Sequence, residues 1–342
     1  MTKNFWIDRR VLVTGGNGFI GSWLTERILA AGAKVTLLIK KDDPVGLVSI
    51  PGVVEKTKIV YGDIRESAII EKVCEDQETI LHLAAITQVI YSVKNPVETV
   101  EVDVNGTLNI IEALRKKNEN AFLVFASTDK VYGEPKYVPI DEEHPLSSKS
   151  PYDASKLSAD RLVYSYQKTY GLRGSISRCS NVIGGRDVNM LRVVPSAVYF
   201  LMRGRVPVIR TDGRSIRDYM YVDDAVNALM TLAANEQKSN GLVFNFGTGK
   251  PTSVLEIVKS IISAYGKGND QPIIRSKNIF AEIDRQYLSY KLAKEKLGWN
   301  PKTNLEDGVR QAVDWYKKNP GWLDVMDRTS HYYGLNVSEY FG

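Results

Sequence analysis

A tyrosine and a lysine stand four residues apart in Tyr152-Asp-Ala-Ser-Lys156. On a helix, positions i and i+4 share a face, so phenol and ammonium would open onto one cleft. A neighbouring ammonium stabilises a phenolate, and the pair is expected to lower the tyrosine pKa toward that of a working base. Such spacing also arises on ordinary surface helices, so the pair counts only in company. That company is Ser127-Thr128-Asp129-Lys130-Val131-Tyr132-Gly133, which follows the apolar run 121–126. The run reads as a buried strand, and ligands of open α/β sheets bind outside the carboxyl ends of strands. Thr128, Asp129 and Lys130 would then stand at a site, although a solvated N-cap turn would use the same residue types. A lysine can act as a base there only if burial or a nearby cation depresses its pKa.

A second cluster lies near the N-terminus. Thr14-Gly-Gly-Asn-Gly-Phe-Ile-Gly21 follows a strand-like run and opens a helical pattern. Gly15, Gly18 and Gly21 permit a tight turn and let backbone approach a pyrophosphate at a helix N-terminus. In a strand–turn–helix setting this spacing points to a dinucleotide. The acid that commonly meets the ribose is absent where the second strand ends, at Leu38-Ile39-Lys40-Lys41, and Asp42 and Asp43 follow. A carboxylate there would bind a 2′-hydroxyl and lysines a 2′-phosphate, so NAD and NADP both stay open, with Lys40-Lys41 leaning toward NADP. Asp63, after the third strand, is placed to meet adenine or to cap a turn.

Those residues need rigid elements behind them. Strand patterns at 10–14, 34–39, 59–61, 79–83 and 121–126 alternate with helical ones at 19–31, 67–74 and 102–116. Near-continuous apolar strands between helices predict an α/β fold with a doubly wound parallel sheet covered on both faces. Pro151 opens a helix over 152–170, and 175–178 is a further strand. Beyond residue 184 short strands and helices alternate less regularly. We divide the chain into a dinucleotide-binding domain at 1–183 with the Tyr–Lys helix. A smaller C-terminal α/β substrate lobe at 184–320 is interleaved with the sheet, and a tail covers 321–342. The aromatics of that tail, including Tyr332, Tyr333, Tyr340 and Phe341, are expected to dock on the body or a partner.

Composition narrows the function classes. The chain has 342 residues, 43% hydrophobic and 25% charged, which suits a globular protein with a full core and argues against disorder. Lys and Arg number 45 against 40 Asp and Glu, a net +5 that fits an anionic small ligand without requiring nucleic acid. Two cysteines, Cys74 and Cys179, rule out a disulfide framework, and three histidines share no metal-ligand spacing. The start lacks a signal-peptide apolar region and no run could span a bilayer, so we expect a cytoplasmic protein with no metal.

The motifs together resemble the extended short-chain dehydrogenase/reductase family. They are Gly15-x-x-Gly18-x-x-Gly21, His82-Leu-Ala-Ala85, Asn105-Gly-Thr107, Ser127-Thr128, Tyr132-Gly133, Tyr152-x-x-x-Lys156, Arg178-x-x-Asn181 and Arg217-Asp-Tyr219, spread over almost the whole chain. The resemblance implies a Rossmann-type fold, a nucleotide-sugar substrate and a nicotinamide cofactor kept through turnover. Phe5-Trp6, Gly21-Ser-Trp-Leu24, Asn181-Val-Ile-Gly-Gly185, Leu297-Gly-Trp299 and the Thr-Asp-Lys triplet are most similar to CDP-glucose 4,6-dehydratases. Residues 134–150 are shorter and differently composed than in that subgroup, so nucleotide and hexose stay open.

By the resemblance, Tyr152, Lys156, Thr128, Asp129 and Lys130 would be catalytic. Phe19, Ile20, Lys40, Asp63, Ile64, Leu83, Ala84 and Ala85 would join the glycines at the cofactor. Asn181, Arg192 and Arg217 would meet the substrate, Arg217 at the diphosphate unless it pairs with Asp218 or Asp223. A homodimer would pack through the helices at 105–114 and 152–170, although Leu108, Ile111 and Leu114 would serve an internal core equally well. A sugar-nucleotide 4-epimerase, a dehydratase for a GDP- or UDP-linked sugar, and a non-catalytic dinucleotide-binding scaffold are the alternatives. Asp129-Lys130 speaks against epimerisation, and an intact catalytic set against the scaffold.

Overall fold

The computed structural model of the chain describes residues 5–47, 50, 52–275 and 283–336. Strands β1 (Arg10–Thr14), β2 (Lys34–Ile39), β3 (Thr57–Tyr61), β4 (Thr79–His82), β5 (Phe122–Thr128) and β6 (Gly174–Cys179) come from the first half. Short strands β7 (Asn181–Ile183), β8 (Val208–Ile209), β9 (Ile216–Arg217) and β10 (Tyr219–Tyr221) follow, then β11 (Val243–Phe246). One seven-stranded sheet runs in the order β11-β6-β5-β4-β1-β2-β3. Every pairing in it is parallel. The order reverses between β1 and β4, and a ligand crevice opens at the carboxyl ends there.

Alternation along the strands sends side chains to both faces, as a doubly covered sheet requires. Val13, Leu37, Leu81 and Val124 enter one core, and Leu12, Leu38, Ile80 and Leu123 the other. Helices α1 (Phe19–Ala30), α2 (Ser67–Cys74), α3 (Val89–Lys94), α4 (Pro96–Val100), α5 (Gly106–Lys117) and α6 (Pro151–Tyr170) connect the strands of the first half. The second half adds α7 (Val193–Met202), α8 (Val222–Ala234), α9 (Glu236–Ser239), α10 (Val254–Tyr265), α11 (Lys291–Leu297), α12 (Leu305–Lys318) and α13 (Trp322–Tyr332).

Several elements depart from the sequence expectation; β3 starts two residues earlier, at Thr57, and α3 went unread. The helix expected at 102–116 starts earlier, as α4, passes through a π turn at Glu101–Asn105 and continues as α5. The π turn carries Asp103, a polar residue buried to 1% exposure, and polar burial of that kind has no signature in an apolar pattern. The strand expected to stop at 126 extends through Thr128, because β5 pairs with β6 as far as Thr128 and Cys179. The edge strand β11 went unread, since four residues carry little periodicity. Of the tail aromatics, Tyr332 and Tyr333 sit on the body, and Tyr340 and Phe341 lie outside the described residues.

Leu108 is half-buried against the second core and Ile111 and Leu114 are fully within it, so that stripe serves the internal core. The exposed apolar side chains nearby are Val97 and Val100 on α4 and Tyr164 and Tyr170 on α6. Among the described residues no helix is long and apolar enough to cross a membrane.

Candidate active site

A cleft of about 1060 Å³ runs along the carboxyl ends of the strands. Its floor at one end is the glycine turn between β1 and α1. Gly15 has φ +67°, and a Cβ there would press on the Ala84 backbone at 2.9 Å. A Cβ on Gly21 would collide with the Gly15 carbonyl, so α1 can approach the turn only with glycine at that position. Gly18 caps α1 without a side-chain hydrogen bond, which leaves the first helix amides free to hold an anion. Phe19, Ile20, Ile64, Leu83, Ala84 and Ala85 all line the cleft.

The opposite side of the turn is fixed by a hydrogen-bond relay. The amides of Leu83 and Ala84 both donate to Thr14 Oγ1 at 3.2 Å. Thr14 Oγ1 lies 2.7 Å from His82 Nδ1, and His82 Nε2 lies 3.1 Å from Thr107 Oγ1. The Thr107 hydroxyl donates to the Asp103 carbonyl at 2.6 Å, so it must accept from His82. That fixes the Nε2–H tautomer and makes Thr14 the donor to Nδ1. Burial, with the Lys156 charge adding, pushes the His82 pKa down to about 3. His82 is thus a neutral brace for the β4 end.

At the end of β2, Lys40 lies 3.6 Å from Asp42 and donates to the Tyr332 hydroxyl at 3.2 Å. Asp43, the second aspartate of that loop, lines the cleft and accepts from the amides of Val45 and Gly46. Asp63 also lines the cleft and is gripped by Arg65 through Nε at 3.0 Å and Nη2 at 2.7 Å. Burial works against that carboxylate, yet the Arg65 side chain and amide together hold its pKa below the usual range.

The chemistry-bearing residues converge at the far end. Thr128 closes β5, and its Oγ1 accepts from the Lys130 amide at 3.3 Å, which starts the 3₁₀ turn Asp129–Tyr132. The Thr128 hydroxyl donates to Asp129 Oδ1 at 3.2 Å. Lys130 Nζ lies 3.1 Å from both Asp129 oxygens and donates to Gln286 Oε1 at 2.6 Å. Gln286 Nε2 in turn donates to the Asp129 carbonyl at 2.9 Å. Burial depresses the Lys130 pKa against the pull of Asp129, and the Arg217 charge lowers it further.

Tyr152 and Lys156 leave the first turns of α6, which starts at Pro151 with Ser150 Oγ accepting from the Asp153 amide. Lys156 Nζ donates to the Ala126 carbonyl at 2.8 Å and sits 4.6 Å from the Phe125 ring centre. Burial lowers its pKa, with Asp103 and Asp160 opposing. The lowered tyrosine pKa expected from the spacing is not what this geometry gives. Burial raises the Tyr152 phenol well above its ordinary value, with Arg192 opposing and Asp103 reinforcing.

Asn181, Arg192 and Arg217 line the same cleft. Arg192 pairs with Asp187 at 3.2 Å, and Asn181 Nδ2 donates to the Asp218 carbonyl at 3.4 Å. Arg217 Nη1 donates to the Ile216 carbonyl at 2.8 Å. The carboxylates named as its alternative partners have other duties. Asp223 pairs with Arg27 at 2.9 Å, and Asp218 accepts from Thr248, Gly249 and Leu288.

Several functional neighbours carry no sequence motif of their own. Gln286 joins Lys130 from 156 positions away. Asp103 accepts from the Ile86 amide at 2.8 Å and from Ser155 Oγ at 2.6 Å, which locks the π turn to the Tyr–Lys helix. Arg178, noted only as a motif residue, is fully buried against Asp160 through Nε at 2.9 Å and Nη2 at 2.7 Å. Ser127 and Tyr132 complete that network at 2.8 and 3.0 Å.

A nicotinamide dinucleotide fits these residues on two observations. The glycine cradle is one that any Cβ at 15 or 21 would fill. Moreover, Gln88 Oε1, Ser180 Oγ and Thr329 Oγ1 are buried polar atoms without partners among the described residues, and all three residues line the cleft. Buried polar groups of this kind ordinarily find a partner. No cluster of metal-ligating side chains occurs among the described residues.

The family model described as GDP-mannose 4,6 dehydratase matches residues 12–312. A protein of Methanocaldococcus jannaschii, provisionally named UDP-glucose 4-epimerase, is 35% identical over 90% of this chain and 99% of its own. The dTDP-glucose 4,6-dehydratase of Streptomyces antibioticus is 31% identical over 93% and 95%. The crystal structure of a Bacillus anthracis dTDP-glucose 4,6-dehydratase in complex with NAD superposes with TM-score 0.84, at 28% identity over 93% of this chain and 99% of that one. With its cradle, its Tyr–Lys helix and its match to the family model, the chain belongs to the GDP-mannose 4,6-dehydratase family, within the extended short-chain dehydrogenase/reductases that act on nucleotide sugars.

Proposed function

We propose that this chain is a nucleotide-sugar 4,6-dehydratase that turns an NDP-hexose into its 4-keto-6-deoxy product. The observation that carries the reading is the Lys130–Asp129 contact, 3.1 Å to both oxygens, in the cleft that holds Thr128 and Tyr152. Transfer of one proton across that contact turns an ion pair into a neutral amine beside a carboxylic acid. Burial depresses the Lys130 pKa and so favours the neutral amine. A base and an acid side by side are what the loss of water across C5 and C6 requires.

A nicotinamide dinucleotide held at the Gly15–Gly21 turn would supply reversible hydride exchange with the sugar, from C4 and back to C6, and would end the cycle unchanged. Tyr152 would take the C4 hydroxyl proton as phenolate, a form that burial alone disfavours and that the Lys156 ammonium and the cationic nicotinamide ring of a bound cofactor would have to stabilise. Thr128 hydrogen-bonds the C4 oxygen. The C4 ketone acidifies C5, Lys130 takes the C5 proton, and the C5–C6 double bond forms as the C6–O bond breaks. Asp129 gives its proton to the departing oxygen, which leaves as water and restores the ion pair, and the proton held by Lys130 goes back to C5 as hydride is added at C6. Arg217 and Arg192 serve the diphosphate, where a guanidinium can hold two oxygens.

CDP-glucose is the substrate to try first, because the Thr-Asp-Lys triplet and four flanking segments resemble that subgroup. Purified protein incubated with CDP-, dTDP-, UDP- and GDP-hexoses, without added cofactor, is expected to form a 4-keto-6-deoxy sugar, seen as base-induced absorbance. Interconversion of C4 epimers with no ketone would favour the epimerase reading, which the Methanocaldococcus jannaschii relative supports by name. The proposal extends to an NAD or NADP cofactor, a cytoplasmic setting that suits the unpaired Cys74 and Cys179, and a substrate lobe within 184–320. A homodimer is proposed through the exposed apolar side chains of α4 and α6 rather than through the α5 stripe, with sedimentation velocity as its check.

A further inference from the structure

The family model ends at residue 312, yet α13, beyond it, reaches back to the cofactor end of the cleft. Asp327 ties one side of this helix to α7 through Tyr199 Oη at 2.6 Å and Arg203 Nη2 at 2.5 Å. From the other side, Arg328 Nε donates to the Pro44 carbonyl at 2.9 Å, in the loop after β2. Thr329, Tyr332 and Tyr333, at i, i+3 and i+4, share one helix face, and all three line the cleft. Tyr332 accepts from Lys40 at the end of β2. Tyr333 packs edge-on against Tyr91 with ring centres 5.1 Å apart. Thr329 is 2% exposed, and its hydroxyl is among the buried polar atoms without a partner among the described residues.

In a sheet of this order the pyrophosphate lies at the glycine turn and the adenosine ribose beyond the end of the second strand. Lys40, Asp43, Pro44 and Asp63 mark that place here. We infer that α13 forms a wall of the adenosine pocket, with the Thr329 hydroxyl as a polar contact and the Tyr333 and Tyr332 rings as the apolar cover. The inference rests on the dinucleotide reading and deepens it. A cofactor that ends each turnover as it began gains nothing by leaving, and a wall added outside the common fold would slow its departure.

The test uses full-length protein stripped of nucleotide, with NAD, AMP and nicotinamide mononucleotide as calorimetric probes. Tyr333→Ala should weaken NAD and AMP about tenfold or more, and the near-isosteric Thr329→Val about threefold to tenfold, the scale of one lost buried contact. Nicotinamide mononucleotide, which lacks the adenosine, should bind both variants within about twofold of wild type. AMP affinities unchanged in both variants would overturn the inference, as would equal losses for the two half-molecules. Wild-type protein that binds neither NAD nor NADP would instead sink the dinucleotide reading beneath it.

Discussion

At the residue scale, the proposed reactive group is a pair of contacts rather than a single side chain. Tyr152→Phe should remove C4 oxidation and reduce turnover about 10²- to 10⁴-fold, the usual worth of a positioned acid–base group. Lys130→Met should leave C4 oxidation intact, so a single turnover would accumulate reduced nicotinamide without releasing the dehydrated sugar. Full dehydration by Lys130→Met would refute the assignment of the base. Because the Lys130–Asp129 pair works with one shared proton and the Lys130 pKa is depressed, the elimination rate should fall as pH rises through that lowered value, when the proton for the departing oxygen is lost. His82 supplies a second pH signature. Its pKa falls from 6.5 to about 3 on folding, chiefly by burial, so the unfolded chain takes up a proton that the folded one refuses. Its contribution to stability is therefore complete above the unfolded value and is lost as pH falls toward the folded one. His82→Gln should flatten the acid side of the melting-temperature profile measured by calorimetry.

At the element scale, β5, β6 and α6 are held in register by Arg178 and Asp160 with Ser127 and Tyr132. Asp160→Asn leaves the Arg178 charge buried beside an amide and should cost about 3 kcal/mol, read from denaturant unfolding. Gly21→Ala should displace α1 and abolish NAD binding, since the new methyl would meet the Gly15 carbonyl. These elements were unequally legible in the sequence. The bounds of β1, β2 and α2 could be read residue for residue, because each has sharp stops and a clear apolar period. Gly15, Gly18, Gly21, Tyr152 and Lys156 were legible because short-range backbone geometry demands those types. Gln286, Asp103 and Asp160 were not, since their role depends on contacts across 156, 52 and 18 positions that no local pattern encodes. The tyrosine pKa was misread for a related reason, as burial acts on the phenol more strongly than its helix neighbour does.

At the scale of the whole molecule, the cleft is built from both halves of the chain, with Gly15 and Tyr152 from one and Arg217 and Tyr332 from the other. A cofactor held by both should act as a cross-brace. Stripping it should lower the melting temperature, and restoring NAD at about 100 times its dissociation constant should return about 2.7 kcal/mol. A melting curve indifferent to NAD and NADP would count against a cofactor bound at this interface. The parallel sheet has a further consequence through its edge. β11 covers β6, but 63 residues separate Cys179 from Val243 in the chain. During synthesis the ribosome therefore exposes the unpaired backbone edge of β6 before its cover exists. A fragment that stops at residue 183 would carry that bare edge permanently and should precipitate. In the cell, this enzyme's yield would be set by how quickly translation passes from Cys179 to Phe246.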